Sequence, residues 1–116
     1  MSETNKKIRV LLIDESAIVR DVLSKELAKD PSIEIAETTE VVFQSRDWIA
    51  EIHPDVVILD IEMKKIDGIE FLRKFMPQFA LPVIVFSSTT QKGKHVTLQA
   101  LESGAIDFIP RPAKDI

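Results

Sequence analysis

The stretch Val56-Val57-Ile58-Leu59-Asp60 contains four consecutive apolar residues, three of them β-branched, and ends at a carboxylate. A continuous apolar run of this length predicts a strand that is buried on both faces, which is typical of the centre of a parallel sheet. Ligands of open α/β sheets bind beyond the carboxyl ends of the strands. Asp60 is therefore a candidate site residue, although a lone aspartate at this position could also cap the following turn.

A second strand of the same kind makes the functional interpretation of Asp60 the stronger one. The run IRVLLI at 8–13 is followed at once by Asp14 and Glu15. If the two strands are parallel neighbours, three carboxyl groups meet at one edge of the sheet. Such a cluster normally needs a cation or a raised pKa, because like charges repel at short range. A hard divalent cation with oxygen ligands is the simplest explanation.

Composition indicates a single soluble domain. The 116 residues are 45% hydrophobic and 29% charged, and residues 8–116 are expected to form one domain after a polar, disordered lead-in at 1–7. The net charge of −4 argues against nucleic acid as a partner. Cysteine is absent, and no apolar run resembles a signal peptide or a membrane span. A cytoplasmic location without membrane contact is the resulting expectation.

Strand and helix patterns alternate along the whole chain. Strands are predicted over 8–13, 33–36, 56–60, 83–86 and 106–109, and helices over 16–29, 41–52, 67–75 and 92–103. This alternation predicts right-handed βαβ units and a doubly wound α/β fold with a five-stranded parallel sheet. A C-terminal fifth helix is apparently missing, because only 113–116 follow the last segments. The domain therefore looks truncated, and we expect one sheet face to be partly uncovered, favouring self-association or low stability.

The predicted strand ends bring together groups that suit a phosphoryl group and a metal ion. Two acids follow the first strand, Asp60 ends the third, Ser87 follows the fourth, and Arg111 follows the fifth. Carboxylates can share a metal with phosphoryl oxygens, while a hydroxyl and a cation take up the remaining negative charge. Asp60 is the natural nucleophile, since aspartate can form an acyl phosphate. A phosphate-binding loop rich in glycine is absent from the sequence.

Five short segments are typical of one protein family. They are LDIEM at 59–63, DG at 67–68, SS at 87–88, TLQALE at 97–102 and GAIDF at 104–108. On these segments the chain resembles the receiver domain of response regulators, and most closely the N-terminal receiver of chemotaxis protein-glutamate methylesterases (CheB-type). The resemblance extends from about residue 8 to 112. It implies a flavodoxin-like (CheY-like) fold with strand order 2-1-3-4-5.

The resemblance also assigns roles to individual residues. Asp60 matches the phosphoacceptor, and Mg²⁺ is expected at Asp14, Glu15, Asp60 and the backbone carbonyl of Glu62. Ser87 matches the switch hydroxyl, Phe108 the switch aromatic residue, and Arg111 the phosphate-binding lysine of the family. The family further implies a cis peptide bond between Arg111 and Pro112.

The same resemblance implies partners and an absence of enzymatic activity. A sensor histidine kinase is expected to phosphorylate the chain. The face of the fourth helix and fifth strand is expected to contact an output domain of the same chain, such as a methylesterase, or a partner protein. A homodimer is a further possibility. The catalytic residues of a methylesterase belong to a different domain, so this chain is not expected to be an enzyme.

Three residues depart from the family pattern and keep alternatives open. Glu15 replaces an aspartate, Lys64 replaces a common proline, and Arg111 replaces a lysine. A planar guanidinium is not equivalent to an ammonium where one oxygen is bound. One alternative is therefore a degenerate receiver that acts as a phosphorylation-independent interaction module. Another is a phosphatase-like enzyme, in which Glu62 would supply an acid two residues after the nucleophile.

Overall fold

The computed structural model describes residues 6–40, 46–64 and 67–111. The strands are β1 (Ile8–Ile13), β2 (Ile33–Thr39), β3 (Val56–Asp60), β4 (Val83–Ser87) and β5 (Asp107–Pro110), and the helices are α1 (Ala17–Ala28), α2 (Arg46–Ile52), α3 (Gly68–Glu70) and α4 (Gln91–Glu102). All strand pairs are parallel, and their order is β2-β1-β3-β4-β5. The predicted fold class and strand order are confirmed.

The apolar strands lie at the centre of the sheet because both of their faces are covered. Leu11 in β1 and Leu59 in β3 are fully buried on the face that packs against α2, α3 and α4. Leu12 in β1 and Phe86 in β4 are fully buried on the opposite face, which packs against α1. Continuous apolar runs are therefore required here, as the sequence predicted.

Strand β2 is longer than the predicted segment 33–36. It runs to Thr39, and its register shifts between Ile35, which pairs with Val10, and Glu37, which pairs with Leu11. The skipped residue, Ala36, forms a bulge. Because β2 is an edge strand with none of its residues fully buried, its later residues do not need to be apolar. The sequence pattern therefore ended before the strand did.

The helix predicted over 67–75 is not a regular α-helix. Asp67 caps α3 by accepting hydrogen bonds from the main chain of the following residues, and a π-helical turn (Phe71–Phe75) and a 3₁₀ turn (Met76–Gln78) continue it. The backbone N–H of Met76 donates to the carbonyl of Phe71, five residues earlier. Phe71 and Met76, which this wider turn joins, are both buried in the same core cluster. Simple helical periodicity does not distinguish it from an α-helix.

The face covered by α1 is the less complete half of the core. Val19, Leu23 and Leu27 pack against it, but no residue of α1 is fully buried. On the same face Ile84 and Ile109 are only half-buried. The expected gap over this face remains a prediction, because residues 112–116 lie outside the described ranges. The lead-in at 1–5, the start of the predicted second helix and the Arg111–Pro112 bond also lie outside them.

Helix ends agree with the chemistry of the sequence. Ser16 caps α1 by accepting from the N–H of Val19 at 3.2 Å, and Gly104 follows α4 with a φ of 120°. Helix α4 begins one residue earlier than predicted, with Thr90 as its cap. Within the described ranges, no helix is long and apolar enough to cross a membrane.

Candidate functional site

Two aspartates are buried side by side at the carboxyl ends of β1 and β3. Asp14 is 0% exposed and Asp60 is 1% exposed. Asp60 Oδ1 accepts a hydrogen bond from the backbone N–H of Glu62 at 2.8 Å, and Asp14 Oδ1 accepts from that of Ser16 at 3.0 Å. Asp14 Oδ2 is buried and has no hydrogen-bond partner among the described residues. A buried anionic oxygen without a donor is a free ligand position for a cation.

Arg111 reaches both aspartates from the end of β5. Its Nη1 is 2.9 Å from Asp60 Oδ2, and its Nη2 is 3.5 Å from Asp14 Oδ1. The Nη1–H bonds are not directed at Asp60, so the shorter contact is an ion pair rather than a hydrogen bond. The guanidinium also lies over the ring of Phe86, 5.6 Å from its centroid. The backbone N–H of Arg111 donates to Ser87 O at 2.8 Å, which anchors the residue.

The paired aspartates change the acidity of Asp60. Burial, and after it the negative charge of Asp14, raise the pKa of Asp60 from 3.8 to about 7, although the Glu62 N–H and Arg111 act in the opposite direction. The guanidinium therefore compensates only part of the cost of placing two carboxylates together. A divalent cation would favour the ionised form of Asp60.

A cleft of about 490 Å³ opens beside Asp60. Its walls include the predicted residues Glu15, Glu62 and Arg111, together with Lys64 and Ser88. The carboxylate of Glu62 accepts hydrogen bonds from the backbone N–H of Ser88 and from its hydroxyl, the latter at 3.2 Å. The sequence predicted a role for the Glu62 carbonyl but gave no indication of this side-chain contact.

The oxygen groups at this edge suit Mg²⁺, which prefers carboxylate and carbonyl ligands. Asp14 supplies the unpartnered buried oxygen, Asp60 lies beside it, and Glu15 lines the cleft. Within the described residues, no three histidine, cysteine, aspartate or glutamate side chains form a cluster that could hold a metal ion. The expectation that Asp14, Glu15 and Asp60 meet as three carboxylates is therefore not met in this structure: Asp14 and Asp60 are buried as a pair, whereas Glu15 lines the cleft without completing such a cluster.

The two predicted switch residues lie outside the cleft. Ser87 is 3% exposed, and its hydroxyl is hydrogen-bonded to the hydroxyl of Thr97 in α4. Phe108 is 49% exposed on β5. Both line a separate, largely apolar pocket of about 320 Å³ between α4 and β5, together with Leu98 and Leu101. The structure therefore places Ser87 and Phe108 near each other but not at the carboxylates.

Gly93 allows α4 to approach the end of β4 closely. A Cβ atom at this position would lie 2.2 Å from the carbonyl oxygen of Ser88 and 2.5 Å from its hydroxyl. The Gly93 N–H donates to Thr90 Oγ1 at 3.0 Å, so the residue also takes part in the helix cap. A glycine one residue after the start of the predicted helix was the only sequence signal for this contact.

The fold and the acidic strand ends are those of a receiver domain, and comparison with known proteins agrees. The family described as response regulator receiver domain matches residues 10–116, and the chain belongs to it. The chain is 36% identical, with a TM-score of 0.80, to the crystal structure of the response regulator domain of Thermotoga maritima CheB. That match covers 96% of this chain and 83% of the other.

Two curated relatives place the chain within the CheB branch. It is 55% identical over 96% of its length to a protein-glutamate methylesterase/protein-glutamine glutaminase of Syntrophotalea carbinolica, and 48% identical over 94% to one of Sulfurimonas denitrificans. The chain spans 31% of the length of each relative. The predicted resemblance is confirmed. The chain is a receiver domain and not the esterase itself, as the sequence predicted.

Proposed function

We propose that the chain is a Mg²⁺-dependent receiver that is phosphorylated on Asp60. The observation that carries the proposal is a pair of buried carboxylates, in which Asp14 has an unpartnered oxygen and Asp60 lines an open cleft. Asp14, Glu15, Asp60 and the Glu62 carbonyl would hold the ion. When bound, Mg²⁺ would neutralise the carboxylates and the incoming phosphoryl oxygens.

The chemistry follows from how Asp60 is held. The Glu62 N–H fixes Oδ1 at 2.8 Å, and Oδ2 faces Arg111. A carboxylate oxygen of Asp60 would attack the phosphorus of a phosphodonor, forming an O–P bond while the bond between phosphorus and the donor breaks and its electron pair leaves with the donor. Arg111 would take up part of the negative charge, because its guanidinium already contacts both aspartates.

The proposed phosphodonor is a sensor histidine kinase, as expected for this family. The proposed output surface consists of α4 and β5, where Leu98 is 61% exposed and Phe108 is 49% exposed. An output domain of the same chain, of the methylesterase type named for the relatives, or a partner protein would bind there. A homodimer is the alternative occupant of an apolar surface of this kind.

Incubation with acetyl phosphate and Mg²⁺, followed by mass spectrometry, tests the proposal. The parent should gain one phosphoryl mass, and Asp60→Asn should gain none. Asp21→Asn is the control, since Asp21 pairs with Lys25 on the exposed side of α1. Equal labelling of the Asp60→Asn variant would assign the phosphoryl group to another residue and refute the role of Asp60.

A second candidate is supported by the position of Arg111. Its guanidinium contacts both carboxylates, 2.9 Å from Asp60 Oδ2 and 3.5 Å from Asp14 Oδ1, and could serve as a permanent counter-ion in place of the metal. The chain would then be a degenerate receiver that binds its partner without phosphorylation. The same labelling experiment decides between the two, because a degenerate receiver takes up no phosphoryl group even at saturating Mg²⁺.

A further inference from the structure

Helix α4 presents a buried hydroxyl to Ser87. The Ser87 and Thr97 side-chain oxygens are hydrogen-bonded, and the two residues are 3% and 8% exposed. Thr97 Oγ1 also lies 2.8 Å from the carbonyl oxygen of Gly93, whereas Ser87 Oγ lies 3.3 Å from the same oxygen. Each hydroxyl has one proton. The arrangement that uses both protons best has Ser87 donating to Thr97 and Thr97 donating to Gly93.

We infer that Thr97 is a positioning residue for Ser87, an inference that rests on the proposed phosphorylation of Asp60. Thr97 holds the Ser87 hydroxyl under α4 in the unphosphorylated domain. When Ser87 moves to donate to a phosphoryl oxygen, Thr97 keeps its own acceptor, the Gly93 carbonyl. No buried hydroxyl proton is left without a partner in either position, so the movement exchanges one hydrogen bond for another.

The effect of removing the Thr97 hydroxyl can be derived from this chain of bonds. Thr97→Val preserves the shape of the side chain and removes the nearer acceptor of the Ser87 proton, leaving only the longer contact of 3.3 Å to the Gly93 carbonyl. The hydrogen bond between Thr97 and Gly93 is present in both positions of Ser87. Its loss therefore does not change the free-energy difference between the two positions. Loss of the bond between Ser87 and Thr97 affects only the resting position, so the variant should favour the phosphorylated arrangement. One net hydrogen bond corresponds to roughly a two- to tenfold change in an equilibrium constant.

The experiment measures the affinity for beryllofluoride, an analogue of the phosphoryl group, by calorimetry in the presence of Mg²⁺. Thr97→Val should bind it roughly two- to tenfold more tightly than the parent. Thr97→Ser, which keeps the hydroxyl, should bind it like the parent. Thr97→Ala is a second variant without the hydroxyl, in case valine disturbs the packing of α4. In a Ser87→Ala background, Thr97→Val should have no effect.

Each outcome separates this inference from the proposed function. A parent that takes no phosphoryl group on Asp60 overturns both. A parent that is phosphorylated, with Thr97→Val and Thr97→Ala binding beryllofluoride unchanged, overturns the inference alone. An effect of Thr97→Val that persists in the Ser87→Ala background also overturns it, because Thr97 would then act through helix packing and not through the Ser87 hydroxyl.

Discussion

The guanidinium of Arg111 lies 2.9 Å from the carboxylate of Asp60, closer than it lies to Asp14 at 3.5 Å. Arg111 therefore offsets part of the negative charge of the proposed nucleophile in the absence of metal. A cation that binds at the two aspartates has to share their charge with the guanidinium. Arg111 thus stabilises the resting site while opposing the binding of Mg²⁺, and this balance can be measured.

Replacing Arg111 by methionine should tighten Mg²⁺ binding. The substitution keeps an apolar stem over Phe86 and removes a positive charge from the immediate surroundings of the ion, so repulsion decreases. Calorimetric titration should give a lower Kd for Arg111→Met than for the parent. Arg73→Met removes an exposed arginine on the turn after α3 and should leave the Kd unchanged. Weaker binding in Arg111→Met would show that the guanidinium organises the ligands rather than competing with the ion.

The raised pKa of Asp60 predicts a specific dependence of stability on pH. The pKa of Asp60 in the folded state, about 7, exceeds the ordinary value of 3.8. Between these two pH values the folded state therefore binds one proton more than the unfolded state. The contribution of Asp60 to stability is therefore fully present below about pH 3.8 and is lost as the pH rises through about 7.

Asp60→Asn removes this titration and isolates the effect. In metal-free buffer, the variant should gain stability relative to the parent as the pH rises from about 5 to 8, by at least about 1.4 kcal/mol, the equivalent of one pKa unit. Urea unfolding at a series of pH values measures the difference. For Asp21→Asn, at an exposed position, the difference in unfolding free energy from the parent should not change with pH. If the difference for Asp60→Asn does not change with pH either, the raised pKa of Asp60 is refuted.

Metal addition should raise the melting temperature only when both aspartates are intact. A ligand that binds the folded state alone stabilises it by mass action. Saturating Mg²⁺ should therefore raise the Tm of the parent and have little effect on Asp14→Asn. The asparagine oxygen can still accept from the Ser16 N–H, so the variant should fold and, without metal, melt higher than the parent. If Asp14→Asn responds to Mg²⁺ like the parent, the ion binds elsewhere.

The sequence predicted both ends of β1 and β3 because burial and chemistry coincide there. The apolar run of β3 is continuous because both faces of the strand are covered. It stops at Asp60 because the strand reaches the carboxyl-terminal edge of the sheet there. The ends of α1 and α4 followed from Ser16 and Gly104, whose effects are local. Parallel pairing then determined that Asp14 and Asp60 would meet, without any knowledge of loops.

Contacts between side chains distant in sequence were not predictable in the same way. Glu62 and Ser88 are 26 residues apart, and Ser87 and Thr97 belong to different elements. Neither pair leaves a periodic signal, since a carboxylate after a strand and a threonine in a helix have many possible partners. Glu62 meets Ser88 because the neighbouring strands β3 and β4 end side by side, and Ser87 meets Thr97 because α4 packs closely on β4.

Glu62 should limit the extent of phosphorylation. Its carboxylate accepts the hydrogen bond of the Ser88 N–H, a donor at the cleft that could otherwise bind a phosphoryl oxygen. The carboxylate also adds negative charge to the cleft. Glu62→Ala removes both effects while keeping the backbone carbonyl proposed for the metal. Steady-state labelling by acetyl phosphate should therefore increase, with Glu62→Gln intermediate because the amide oxygen can still accept.

The control for this prediction is Glu70→Ala, which removes an exposed carboxylate that pairs with Lys74. It should be labelled like the parent. Reduced labelling of Glu62→Ala, with normal labelling of the control, would mean that the carboxylate assists phosphoryl transfer. The competition between Glu62 and the phosphoryl group would then be excluded.

Gly93→Ala should destabilise the domain and disturb the cleft. The added Cβ would lie 2.2 Å from the Ser88 carbonyl oxygen, so α4 or the loop before it must move. Overpacking of this kind typically costs about 1–3 kcal/mol, more than the gain from replacing glycine by alanine in a helix, about 1 kcal/mol at most. Urea unfolding should show the loss of stability for Gly93→Ala but not for Lys94→Ala, at the exposed neighbouring position.

Because the displaced residue is Ser88, labelling of Asp60 should decrease as well. Unchanged stability of Gly93→Ala would show that the loop yields freely, and the position of Ser88 would then not be fixed by α4.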